Sequence, residues 1–221
     1  MTMSRIKNVI VKKPGLSIND INMRIKKEIC YETLKNLTDA ELICEYNDCD
    51  SVKNEIKKLS DVLGKYIDEE TKEKIIQEYS LQLIPAGTKG VIRGNKFNNI
   101  VKQYITKIEL GTDRFEICFE KKCECHFTSE IPDWYILEKS TNKIMIGMNQ
   151  LDLWRGGHQI NRGSKYLIDN KHNSENSKLL CVICNEIEFK SNKNKAYKLF
   201  ETGFENNTLL HHTLIKNLIM D

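Results

Sequence analysis

The chain has 221 residues, 40% of them hydrophobic and 29% charged, and a formal net charge of +3. That length fits one domain with an appended piece, or two small ones, and is enough to bury a real core. No run approaches the roughly 18 apolar residues of a membrane span, and Met1 to Pro14 lacks the apolar centre of a signal peptide, so an intracellular, cytoplasmic protein is expected.

A basic arm (Arg5, Lys7, Lys12, Lys13) opens the chain, and residues 1 to 83 then read as a helical subdomain. Ser17 and Thr38 precede apolar residues at helical spacing, and Thr38 with Glu41 makes a capping-box pattern. Ser51 to Tyr66 sets Val52, Ile56, Leu59 and Leu63 on one stripe, and Glu69 to Leu83 does the same with Ile75, Ile76, Tyr79 and Leu83. This part is almost neutral, with 14 Lys plus Arg against 15 Asp plus Glu, which argues against a primary phosphate-binding surface. Ile84 to Gly90 breaks the periodicity and marks a boundary, so residues 84 to 221 form the second unit. Its glycines match neither phosphate-loop pattern.

Gly94 to Lys107 reads as a helix with Phe97, Ile100, Val101, Tyr104 and Ile108 inward. Strands follow at Arg114 to Glu120, Trp134 to Glu138 and Ile144 to Gln150, the last two joined by a turn at Ser140 to Lys143. Gly156-Gly157 turns the chain into a helix from His158 to Ile168. Lys178 to Cys184 is a compact apolar run of the kind that is buried on both faces as a strand. Two helices, Lys193 to Thr202 and Thr208 to Met220, close the chain, and His211 and His212 read as surface residues of the second. The fold class is therefore α/β, of the α+β type.

Positive charge is uneven. Lys89, Arg93, Lys96, Lys102 and Lys107 face only Glu109 between Ile84 and Leu110, and no acid lies between Leu153 and Tyr166, where Arg155, Arg162 and Lys165 fall. A third cluster is Lys190, Lys193, Lys195 and Lys198. Such clusters around a hairpin suit nucleic acid, or are solvated surface lysines. The eight cysteines read as reduced thiols in a chain with no secretion signal. Cys123, Cys125, His126, Cys181 and Cys184 contain zinc-like spacings, but the last two fall in a strand, on opposite faces.

The order helix, three strands, helix, strand, with Pro132-Asp133 at the head of the second strand, resembles the PD-(D/E)XK nuclease superfamily. That group includes many type II restriction endonucleases, and the resemblance covers about Gly94 to Asn185. It implies a restriction endonuclease-like core in which a crossover helix leads to a fourth, parallel strand. It implies also that Asp133 binds Mg²⁺, with a Glu and a Lys two apart on the next strand. Here that strand reads Gly147-Met148-Asn149-Gln150-Leu151-Asp152, and period two places Met148, Gln150 and Asp152 on one face. The Glu-x-Lys is absent. On this reading Asp133, Gln150 and Asp152 supply oxygens to the metal, and Lys165, reaching back from the following helix, either replaces the missing cation or contacts a phosphate. Arg155, His158, Gln159, Asn161 and Arg162 suit base edges, and Lys89, Arg93 and Asn95 suit phosphates. Trp154 reads as core.

The expected function is sequence-specific, Mg²⁺-dependent cleavage of double-stranded DNA, by a homodimer if the site is a palindrome. The rival is a nuclease fold that has lost catalysis and only binds DNA.

Overall fold

A computed structural model describes residues 15–28, 50–83, 86–108, 110–123, 130–151, 157–168, 174–184 and 187–220, with backbone alone at 51, 80–83, 86–89 and 220. The basic arm, Thr38 with Glu41, Cys125, His126, Asp152, Trp154 and Arg155 lie outside the described residues.

Helix α1 (Ile18–Glu28) begins at a reciprocal cap. Ser17 Oγ accepts from the Asp20 amide, and Asp20 accepts from the Ser17 amide, so two otherwise orphaned donors are satisfied. Helices α2 (Asp50–Leu63) and α3 (Glu69–Leu83) follow and pack on each other. Helix α4 spans Ala86–Lys107, two turns longer than Gly94 to Lys107. Gly87, Gly90 and Gly94 signal a break by propensity, at about 1 kcal/mol each against alanine. Burial of Phe97, Val101 and Ile105 further along the same helix outweighs that cost.

Strands β1 (Phe115–Phe119), β2 (Trp134–Glu138) and β3 (Lys143–Gln150) form an antiparallel meander. The β2–β3 turn is closed by Asn142 at positive φ, a conformation that asparagine tolerates well. Helix α5 (Gly157–Gly163) runs on into a π-helical turn at Ser164–Ile168. It provides the crossover to β4 (Ser177–Ile183), which lies parallel to β3, as a connection of that length permits.

Helix α6 (Lys195–Glu205) comes next, capped by Asn194. The chain then departs from the expected helix at Thr208 to Met220. Asn207 adopts positive φ, and Leu209–Leu210 becomes β5, parallel to β4 beside Cys181 and Val182. A 3₁₀ turn at His212–Leu214 precedes α7 (Ile215–Met220). The open backbone of β4 captures a segment whose own spacing favours helix. The change of element also buries His211 and His212 instead of leaving them on the surface.

Among the described residues the sheet has five strands, in the order β1-β2-β3-β4-β5, and the fold is mixed α/β. Helices cover both faces. Ile144, Ile146, Leu179 and Cys181 pack under Leu167, Phe200 and Phe204, and Ile21 and Ile25 of α1 join this layer. Arg24 donates to the Phe204 carbonyl, and Asn22 pairs with the Phe189 backbone, so α1 is also fastened by hydrogen bonds. On the other face Trp134, Ile136, Leu180 and Val182 meet α4 and α7. Cys181 and Cys184 fall in opposite layers.

Candidate active-site cleft

The chain enters β2 through Glu130-Ile131-Pro132-Asp133, so Asp133 stands at the head of the strand. Trp134 pairs with Gly147, and the same register carried one residue further sets Asp133 beside Met148. Its amide donates to the Gly147 carbonyl at 3.1 Å. A cleft of about 820 Å³ opens at this end of the sheet, between α4 and α5, with Asp133, Glu130, Asn149, Gln150, Gln159 and Arg162 in its wall.

Asp133 is held from two sides. The Asn149 amide donates to Oδ2 at 2.6 Å, and the Asn98 side chain donates to Oδ1 at 3.1 Å. Burial raises its pKa above the usual carboxylate value, although these two bonds pull the other way. Both donors are neutral, so desolvation wins. Gln150 is buried, and its side-chain amide donates to the Asn149 carbonyl. Met148, beside Asp133, is buried in the helix-covered layer and brings no oxygen.

A second carboxylate faces the cleft that the sequence did not single out. Glu130 accepts from Lys165 Nζ at 2.8 Å and from the Tyr166 hydroxyl. Burial pushes its pKa up, but the bonds to Lys165 and Tyr166, with Lys165 and Arg162 as nearby charges, bring it below the ordinary value. Lys165 therefore does reach back toward the hairpin, and its partner is this loop glutamate. Lys165 and Tyr166 both lie on the π-helical turn at Ser164–Ile168. Such turns are frequent at functional sites.

Of the expected site residues, Asp133, Gln150, Asn95, Gln159 and Arg162 line the cleft, and Lys165 reaches it through Glu130. Arg93, His158 and Asn161 are exposed and do not line it. Lys89 lies on α4, with its side chain outside the description. Asn98 and Asn149 escaped sequence reasoning along with Glu130. Asn98 shares its helix stripe with Gly90 and Gly94 at intervals of four, which turns all three toward the cleft, and that spacing was the available signal.

Among the described residues no group of three or more His, Cys, Asp or Glu is placed to hold a metal ion. No family model matches the chain, and no curated protein matches it either. No described helix is long and apolar enough to cross a membrane.

Proposed function

We propose that the chain is a Mg²⁺-dependent endonuclease acting on double-stranded DNA, built on a restriction endonuclease-like core. The observation that carries this reading is Asp133, a carboxylate with raised pKa, fixed at the head of β2 in the wall of a large cleft. Helix α4, the meander, the crossover and parallel β4 supply the element order that the resemblance implies.

The donor set suits a magnesium ion in a limited way. Mg²⁺ takes oxygen ligands and commonly uses one or two carboxylates, with water and substrate phosphate for the rest. Asp133 keeps free lone pairs after its two hydrogen bonds, and the Gln150 amide oxygen is a second candidate. Bound there, Mg²⁺ would polarise the phosphodiester and lower the pKa of a water. Arg162 would meet a phosphate from the α5 side, with Gln159 and Asn95 beside it for positioning or base contact. Lys165 would hold positive charge near the scissile group once Glu130 yields to substrate. Cutting a palindrome would require two copies related by a twofold axis.

A second reading has its own support. Met148 takes the place beside Asp133 where a second acid would help, and Glu130 is already bonded by Lys165 and Tyr166. Both features suit a protein that binds DNA without cutting it. Plasmid DNA with Mg²⁺, run beside a gel shift in EDTA, separates the two. Nicking or linearisation by the wild type that Asp133→Asn abolishes supports the enzyme, whereas an EDTA-insensitive shift without cutting supports the binder.

A further inference from the structure

We infer that Asn98 is a positioning residue for Asp133, aimed by a one-way chain of hydrogen bonds that begins at the Trp134 indole. This rests on the reading of Asp133 as a metal ligand.

The chain of contacts has fixed polarity. Trp134 Nε1 donates to Asn149 Oδ1 at 3.1 Å, Asn149 Nδ2 donates to Asn98 Oδ1 at 3.1 Å, and Asn98 Nδ2 donates to Asp133 Oδ1 at 3.1 Å. An indole N–H can only donate, and an ionised carboxylate can only accept. Each asparagine between them therefore has a single amide orientation that satisfies both neighbours. Flipping either one would set donor against donor at one end and acceptor against acceptor at the other. The Asn98 oxygen is engaged by Asn149, so Asn98 serves the site through Asp133 and not as a ligand itself.

The start of the chain is as constrained as its end. Trp134 is fully buried, and its indole lies over Gly147, where any side-chain carbon would collide with it. Asn149 meets Asp133 twice, through its backbone amide and, by way of Asn98, through its side chain. Both carboxylate oxygens are thus held in the wall of the cleft. Partners of metal-binding carboxylates commonly matter 10- to 100-fold, about as much for affinity as for activity.

The test is Mn²⁺ titration of the full chain without DNA, followed by the spectroscopic signal of free Mn²⁺, well below each variant's melting temperature. Asn98→Leu is expected to weaken Mn²⁺ binding by about 10- to 100-fold. Trp134→Phe, which removes only the head of the chain, should weaken it less, and adding it to Asn98→Leu should cost nothing more. A merely structural role would lower melting temperature and leave Mn²⁺ affinity alone. If Asp133→Asn abolishes binding while Asn98→Leu and Trp134→Phe both stay within twofold of wild type, the positioning role is refuted and the metal reading stands. Should Asn98→Leu not fold, Trp134→Phe decides by the same criterion. If wild type binds no Mn²⁺ that depends on Asp133, the metal reading fails and the positioning role falls with it.

Discussion

Gly147→Ala is the most telling change that leaves every polar group of the cleft in place. A methyl at this position would lie 1.9 Å from Cε2, 2.2 Å from Cζ2 and 2.3 Å from Nε1 of Trp134. Carbon atoms pack at about 3.5 to 4 Å, so the indole must retreat by more than an ångström. It has no room, because Trp134 is buried against α4 together with Ile136, Leu180 and Val182. Overpacking of this kind costs about 1 to 3 kcal/mol. Losing the indole bond to Asn149 adds about 0.5 to 1.5 kcal/mol, for a total of about 1.5 to 4.5 kcal/mol. For a chain of this size that corresponds to a fall in melting temperature of about 3 to 18 °C. Urea unfolding followed by circular dichroism, with a thermal melt beside it, measures both. A loss below about 1 kcal/mol would refute the packing argument and the claim that glycine is required beneath the indole.

Three further outcomes follow from the same structure. His211 and His212 are buried side by side, and burial pushes their pKa values down from 6.5 to about 3 and about 4. The unfolded chain then takes up protons first. Stability is full above pH 6.5 and falls as pH drops toward 4, by up to about 2.7 kcal/mol per pH unit for the pair; urea midpoints between pH 7 and 5 would show it, and a slope unchanged in His212→Gln would contradict it. Glu130→Gln should cost under about 1 kcal/mol, since the pair with Lys165 is partly exposed, and should free Lys165 for phosphate, steepening the salt dependence of DNA binding by about 0.9. A slope that stays fixed would place the DNA elsewhere. Arg162→Ala should flatten the same slope by about 0.9 if Arg162 meets a phosphate, and an unchanged affinity would remove it from the interface.

The sheet was legible where burial leaves a simple pattern. Leu179 to Cys184 is apolar at every position because both faces of the sheet there are covered, whereas in β1 the alternation is only partial: Phe115 is buried, Ile117 and Phe119 are half-buried, and Cys118 between them is buried as well. The turn between β2 and β3 follows from residues suited to it. The last strand was hidden because Leu209 and Leu210 sit in a stretch with helical spacing, and pairing with Cys181 and Val182 decides their state. The start of α4 was hidden by glycines that packing overrides.

The site was half legible for a related reason. Asp133 shows itself by following a proline at the start of a strand, and Gln150 by its place on the partner strand. Asn98 and Lys165 come from helices 35 and 32 positions away from Asp133, and only the folded sheet brings them to one cleft. Glu130 stood in plain view, three residues before Asp133, but its partners Lys165 and Tyr166 lie 35 and 36 positions further on, on a π turn that has no local signature.

Asp133 is the centre of this account, and single-turnover cleavage tests it most directly. Duplexes that together contain every short palindrome, incubated with excess protein over a range of Mg²⁺ concentrations, should be cut by wild type and left intact by Asp133→Asn. The variant should still bind the same duplexes and should fold with a loss of about 1 to 3 kcal/mol, since its amide nitrogen faces one of the two donors, the Asn149 amide or the Asn98 side chain, that Asp133 accepts from. Cutting by the variant at the wild-type rate, or no cutting by either protein at any Mg²⁺ concentration, would contradict the account.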